Sequence, residues 1–292
     1  MTGPLNISYP TTVAGCYIAI KHLFPDVYAN SGCLEPVRIV VPEDSLLNAK
    51  HPRPVCGYTE TVERVVEVIF GAIALAAPQL SNGLPHGTIN ALSLSGRRTG
   101  GSGWVLFMFF GGGLGGNPQT DGLNYGSPPI GTATVPPAEI IEARYPVMFT
   151  QWALRPDSCG AGRHRGGLGA VIEIELLAEQ AVFSHFGERS RSAPHGVAGG
   201  GDAALNVVLY EQDGGFRRPP MGAKVVGVRL KKGERVRMEM PGGGGYGPAA
   251  ERAPEKIQRD IALGYITREA ALRDYGVVGA SAVMAFEQAV PK

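Results

Sequence analysis

The sequence lacks the features that would place it at once in a redox, membrane or nucleic-acid class. Its four cysteines, Cys16, Cys33, Cys56 and Cys159, are scattered without CxxC or any other ligand spacing, so neither a disulfide framework nor a zinc site is expected. The longest apolar stretch, Val65 to Ala77, carries Glu67 and falls short of the roughly 20 residues that cross a bilayer. A formal net charge of +1 leaves no bulk electrostatic pull toward nucleic acid or an anionic membrane. No basic segment leads into an apolar run near Met1, so no signal peptide is expected and a reducing cytoplasm is the default. A repeat of solenoid period is also missing.

Glycine and proline are abundant: 42 Gly and 23 Pro among 292 residues. They punctuate apolar segments and form no low-complexity tract, which argues for a folded chain with many special backbone conformations. Hydrophobic residues at 44% and charged residues at 18% fit a folded soluble protein.

Periodicity predicts the elements. From Thr11, the stripe Val13, Tyr17, Ile20, Phe24 predicts a helix that Pro25 ends, and Arg38 to Val41 a short strand. A second helix, about Thr61 to Ala77, is expected to bury Val62, Val65, Val66, Ile69, Ile73 and Ala76, with Glu63, Arg64 and Glu67 facing out. Two strands follow, Thr88 to Leu94 and Trp104 to Phe110; the second is apolar on both faces and therefore expected at the centre of a sheet. A glycine-dense connection starts at Gly111 and continues through Pro128-Pro129 and Pro136-Pro137 up to Glu139, and its length marks it as a functional loop.

From Val147 the chain reads as β-rich, with strands expected at Val147–Leu154, Ala170–Leu177, Ala181–Phe186, Leu205–Tyr210, Lys224–Leu230 and Arg235–Met240. Val171, Glu173 and Glu175 alternate with Ile172, Ile174 and Leu176, as in a half-exposed strand. Helices return after Pro254 and Thr267, with a last short one over Ser281 to Val290. The expected fold is α+β: a region 1–145 with the glycine-rich loop, a sandwich- or barrel-like β block 146–250, and a helical tail 251–292.

Several segments carry a family resemblance. Asp157-Ser158-Cys159-Gly160-Ala161-Gly162-Arg163-His164-Arg165-Gly166-Gly167-Leu168-Gly169, then Pro241 through Gly247 (PGGGGYG), then Ile257 to Thr267 and Tyr275-Gly276-Val277-Val278, resemble motifs of the hydantoinase B/5-oxoprolinase family in their order. Asn30 to Cys33, Pro42 to Ser45, Gly87 to Asn90 and Gly111 to Gly113 fall in that order too. Cys159 stands where that family usually has glycine. The family's N-terminal half finds no match here, and the resemblance places the metal-site residues in that half; no metal ligand is therefore expected on this chain.

The resemblance implies a cytoplasmic, ATP-dependent complex that opens cyclic amides. A hydantoinase A-like ATPase partner phosphorylates a carbonyl oxygen, turning a poor electrophile into one with a leaving group. A divalent metal held outside this chain, on the complementary N-terminal half, supplies the water. The same scheme admits carboxylation of a ketone instead, and loss of the missing half admits a non-catalytic assembly subunit.

Site residues follow from chemistry and resemblance together. Arg163 and Arg165 beside Gly166 and Gly167 offer guanidinium forks to a phosphate or carboxylate, or else pair with Glu173 and Glu175. Gly242, Gly243, Gly244 and Gly245 form either a backbone nest for an anion or a tight turn; no GK[ST] follows, so a P-loop is excluded. Gly111 to Gly116 has the alternative of close backbone packing. Asp121, Glu188 and His195 are the catalytic candidates, with Glu139 and Glu142 the other acids near the glycine loop and His86 and His185 the other histidines of interest. Cys159 among arginines is a further nucleophile candidate, because neighbouring cations lower a thiol pKa.

Overall fold

The computed structural model describes residues 2–98 and 100–276; the helix expected over Ser281 to Val290 lies outside them. The fold is a mixed helix-and-sheet one, α+β as expected, built on two antiparallel sheets. In chain order the helices are α1 (Tyr9–Leu23), α2 (Tyr58–Ala76), α3 (Ala138–Arg144), α4 (Pro254–Ala262) and α5 (Arg268–Tyr275). The strands are β1 (Ala91–Arg97), β2 (Gly103–Met108), β3 (Val147–Leu154), β4 (Ala170–Leu176), β5 (Gln180–Phe186), β6 (Val207–Gln212), β7 (Gly215–Arg217), β8 (Lys224–Lys231) and β9 (Arg235–Glu239).

One sheet has the order β2-β1-β5-β8, the other β3-β4-β9-β6-β7. Leu92, Leu94, Trp104, Leu106 and Phe183 from the first join Ile172, Ile174, Val208, Val236 and Met238 from the second in one buried core. Strand alternation accounts for this, since every second side chain points the same way. The six strands expected after Val147 appear within two residues of their expected bounds. β1, which precedes the expected boundary at 145/146, pairs with β5, which follows it, so one sheet draws strands from both sides. β4 is also more enclosed than its alternation suggested. It lies between β3 and β9, and Glu173 is buried against Arg235 and Arg237, so those arginines take the partner that Arg163 and Arg165 were offered.

Three other expectations are corrected. Arg38 to Val41 forms no strand. β2 lies at a sheet edge, not its centre: Trp104, Leu106 and Met108 are buried while Val105 and Phe107 are 60% and 58% exposed. α1 begins at Tyr9, with Pro10 in its first turn, where the missing N–H costs nothing. It buries Thr12, Gly15, Ala19 and Leu23, one or two positions before each residue of the expected stripe. Small residues win that face because α2 comes close; a Cβ at Gly15 would meet Val62 at 2.7 Å. Ala19 and Leu23 then pack with Val66, Phe70 and Leu84 in a second, smaller core.

In the tail, Thr267 caps α5 by accepting from the Ala270 N–H at 3.1 Å, and Gly276 ends it in the left-handed region. Ile257, Ile266, Ala270 and Ala271 form its own small core. No helix among the described residues is long and apolar enough to cross a membrane.

Candidate functional site

The densest concentration of buried titratable groups lies on α2. Val62 and Val66 are buried as expected, but so are Glu60, Glu63 and Glu67, while Ala76 is exposed. The acids at 60, 63 and 67 share one helix face by their i, i+3, i+7 spacing, beside the apolar stripe. A reading that sends charge to solvent misses them; the signal was that their spacing parallels that of Val62, Val66 and Phe70.

What these acids meet comes from two loops. Glu67 is held by Arg64 at 2.6 Å and by Arg189. Arg64 also donates to the Gly87 carbonyl, and Arg189 to that of Ala193 at 3.1 Å. Glu60 accepts from the Ile89 N–H at 3.0 Å and the Thr88 hydroxyl at 3.2 Å. Thr88 in turn accepts from the Glu188 N–H at 2.9 Å, and the Glu188 carboxylate pairs with Lys224. Asn206 ties the loops together by donating to Asn90 at 2.6 Å and to the Glu188 carbonyl at 2.8 Å. Gly87, Asn90 and Arg189 all have positive φ, a conformation that non-glycine residues hold only under surrounding constraint. A Cβ on Gly87 would collide with Glu67 and Arg64.

Electrostatically the cluster retains protons. Burial pushes Glu60 up to about 7; burial and then the Glu67 charge push Glu63 up to about 8. Among the described residues no well-formed hydrogen bond reaches either Glu63 oxygen or the second oxygen of Glu60, and the Ile130 backbone N–H offsets only part of the burial of Glu63, so the neutral acid is the cheaper buried form. Four acids (Glu60, Glu63, Glu67, Glu188) face three cations (Arg64, Arg189, Lys224), and one proton on Glu63 balances them. Burial presses His86 down to about 4. Its Nδ1 lies 3.3 Å from the Gly113 carbonyl, which only accepts, so Nδ1 carries the proton and Nε2 is a bare, unpartnered acceptor. His185 repeats this arrangement, its Nδ1 2.8 Å from the Ala223 carbonyl and its pKa pressed down to about 4 by burial.

The glycine motifs come together elsewhere, as stacked extended segments. Gly83 donates to the Gly116 carbonyl, Gly116 to Gly244 and Gly244 to Leu84, at 2.8 to 2.9 Å. Gly243 donates to Gly167, Gly167 to Leu114, Gly166 to Gly160 and Gly245 to Gly201, all within 3.0 Å. The nest expected over Gly242–Gly245 is thereby corrected: the donors of Gly243, Gly244 and Gly245 already serve backbone carbonyls. Close packing, the alternative for Gly111–Gly116, is the arrangement found. At Gly244 it is obligatory, because a Cβ would run into the His195 carbonyl.

Arg165 is buried in a network, not open to a ligand. It bonds Asp260 at 3.2 Å and Asn124 at 3.1 Å and lies 5.0 Å from the Tyr265 ring. Arg163 is exposed, 3.4 Å from Glu251. Asp121 is gripped by Arg252 at 2.7 and 2.9 Å. Burial opposes its charge, but the Arg252 bonds and charge outweigh that and hold its carboxyl below the usual range, which removes it as a general acid. The other candidates divide. Glu188 adjoins the α2 cluster. His195 lies outside it, at the surface, 3.0 Å from Asp202. Glu142 accepts from the Phe149 N–H at 2.7 Å. Burial pushes the Cys159 thiol up to about 11 despite Arg165 and Arg252, so it is a neutral thiol, contrary to the expected activation.

An apolar groove of about 850 Å³ opens between β2, α1, the start of α2 and residues 125–145. As for the implied divalent metal, no group of three or more His, Cys, Asp or Glu side chains among the described residues is placed to hold one.

Comparison with known proteins follows the same lines. An uncharacterized protein of Methanocaldococcus jannaschii is 34% identical over 279 residues, which is 95% of this chain and 48% of that protein. A 5-oxoprolinase of Pestalotiopsis fici is 34% identical over 235 residues, 76% of this chain and 18% of that enzyme. The crystal structure of the ATP-dependent caprolactamase from Pseudomonas jessenii superposes with a TM-score of 0.84 at 24% identity, over 96% of this chain and 50% of that one, which establishes a shared fold. The chain thus spans about half the length, or less, of the relatives it matches. The family model for hydantoinase B/oxoprolinase matches residues 1–249, and the chain belongs to that family.

Proposed function

We propose that this chain forms about half of the B-type component of an ATP-dependent hydrolase of cyclic amides. The observation that carries this reading is the family match over residues 1–249, beside the similarity to a 5-oxoprolinase over 235 residues. A ring amide resists attack because nitrogen donates into the carbonyl; converting its oxygen to a phosphate ester creates a leaving group. In this reading a hydantoinase A-like ATPase partner performs that conversion. The complementary half of the B-type component, as the family resemblance implies, holds the divalent metal. This chain supplies a rigid wall in which the glycine layers fix the loops and the α2 acid cluster fixes Glu188 and Arg189.

The isolated chain is expected to open neither 5-oxoproline, hydantoin nor caprolactam, with or without ATP and divalent metal. Ring opening with ATP consumption is expected once the complementary half and the ATPase partner are added. Product detection by chromatography decides it: turnover by the chain alone, or none by the full assembly on all three rings, overturns the reading.

A further inference from the structure

β2 closes one side of its sheet, and its outer edge pairs with no other backbone among the described residues. Folded proteins blunt such edges with charge, bulges or very short strands, because an open edge recruits another strand. The other edges here follow that rule. β8 carries Lys224, Arg229 and Lys231; β7 has three residues and includes Arg217; β3 contains a bulge between Phe149 and Gln151. β2, Gly-Trp-Val-Leu-Phe-Met, has neither charge, proline nor bulge.

The apolar groove lies along this edge. Leu106, Phe107, Met108, Phe109 and Phe110 all line it. Consecutive residues of a strand point to opposite faces, so a groove touching Leu106, Phe107 and Met108 in turn runs beside the end of β2 and not across one face. Its opposite wall is the segment 125–145, and Arg144 is its only charged lining residue. Phe107 and Phe109 stack edge to face, 4.9 Å between centroids, while 58% and 46% exposed. Such a contiguous exposed apolar surface marks an interaction site.

The length of the relatives says what fills it. This chain matches 48% of the archaeal protein and 50% of the caprolactamase chain, so each of them carries about as much chain again beyond the shared part. We propose that the groove beside β2 is the seat for that complementary half, which adds an extended apolar segment to the β2 edge and extends the four-stranded sheet. The occupant follows from the reading above, but the seat stands whether or not the assembly hydrolyses a ring.

The test uses the stretch of the same genome's coding sequence that is similar to the unmatched half of the archaeal relative, mixed with the present chain. Size-exclusion chromatography with light scattering is expected to show a one-to-one complex. Hydrogen exchange is expected to show protection of the β2 amides that point away from β1. Val105→Glu with Phe107→Glu, both exposed, is expected to leave circular dichroism and melting unchanged and to weaken the complex at least tenfold. The wild-type exchange pattern decides the matter independently should that variant misfold. Absence of such a coding stretch, a complex with unprotected β2 amides, or a homodimer dissolved by the two substitutions would each overturn the seat. A complex with protected β2 and no ring opening would sink the hydrolase reading and leave the seat intact.

Discussion

Glu63 is an ionisable side chain in a place that favours its neutral form. It is fully buried, and Glu67 lies one turn away, paired with Arg64 and Arg189 while burial raises its own pKa as well. Its pKa of about 8 in the fold, against 4.5 ordinarily, sets a definite sign. Over that interval the native state keeps a proton that the unfolded chain has released, so stability falls as pH rises. The contribution is complete below 4.5 and is lost through about 8; Glu60, at about 7, acts in the same direction. His86 and His185 act oppositely, since their pKa falls from 6.5 to about 4: their contribution is present above 6.5 and lost as pH drops through 4. Above pH 6.5 the buried acids of α2 are the groups of this cluster that still change, and burial raises Glu67 in the same direction as Glu60 and Glu63. The melting temperature is therefore expected to fall between pH 6.5 and 8, with Glu63 accounting for on the order of 2 kcal/mol. Glu63→Gln, which keeps the shape of the neutral acid, should match the parent near pH 6 and melt a few degrees higher near pH 8. Parallel melting curves for the two proteins across this range would show that Glu63 is ionised in the fold.

Among the elements, those with a strict period were legible. β3 through β9, apart from the short β7, follow from alternation broken by Gly, Pro and Asp, and the capped α5 from Thr267. Where the outcome depended on a neighbour, the pattern failed for a physical reason. α1 turned its small face inward because α2 approaches it, and β2 gained an edge position that no local pattern encodes. The tail shows the same dependence. Arg252 was no candidate, yet its buried guanidinium spans Asp121 at 2.7 Å and Asp260 at 2.6 Å, joining α4 to the glycine loop. Asp260 also bonds Arg165 at 3.2 Å. Removing one partner of such a buried pair leaves charge without compensation, at a cost of about 3–5 kcal/mol. Arg252→Leu is thus expected to lower the urea midpoint and to expose α4 and α5 to limited proteolysis. Arg252→Leu combined with Asp121→Asn, which leaves Asp260 paired with Arg165, should recover part of the loss. A single variant as stable and protease-resistant as the parent would show that the tail is held by its apolar core alone.

In the whole molecule the glycine segments bear on both the fold and the proposed chamber wall. Residues near 83, 115, 166, 200 and 244 come from distant parts of the chain and exchange backbone hydrogen bonds side by side. That arrangement was not legible beforehand, because a glycine run shows only that no side chain is needed; whether an anion or another backbone occupies the space is decided by segments far away in sequence. The two uses predict different phenotypes. If packing is the role, Gly244→Ala places a methyl group against the His195 carbonyl, between layers that have no slack, and the variant should be insoluble or lose most of its stability by overpacking. Gly71→Ala is the control: it lies within α2 with nothing near a Cβ, and alanine there is expected to stabilise by about 1 kcal/mol. If an anion cradle were the role, Gly244→Ala would fold normally and lose only affinity for inorganic phosphate. Thermal melting of the three proteins with and without phosphate separates these outcomes, and a well-folded Gly244→Ala protein would remove the packing argument.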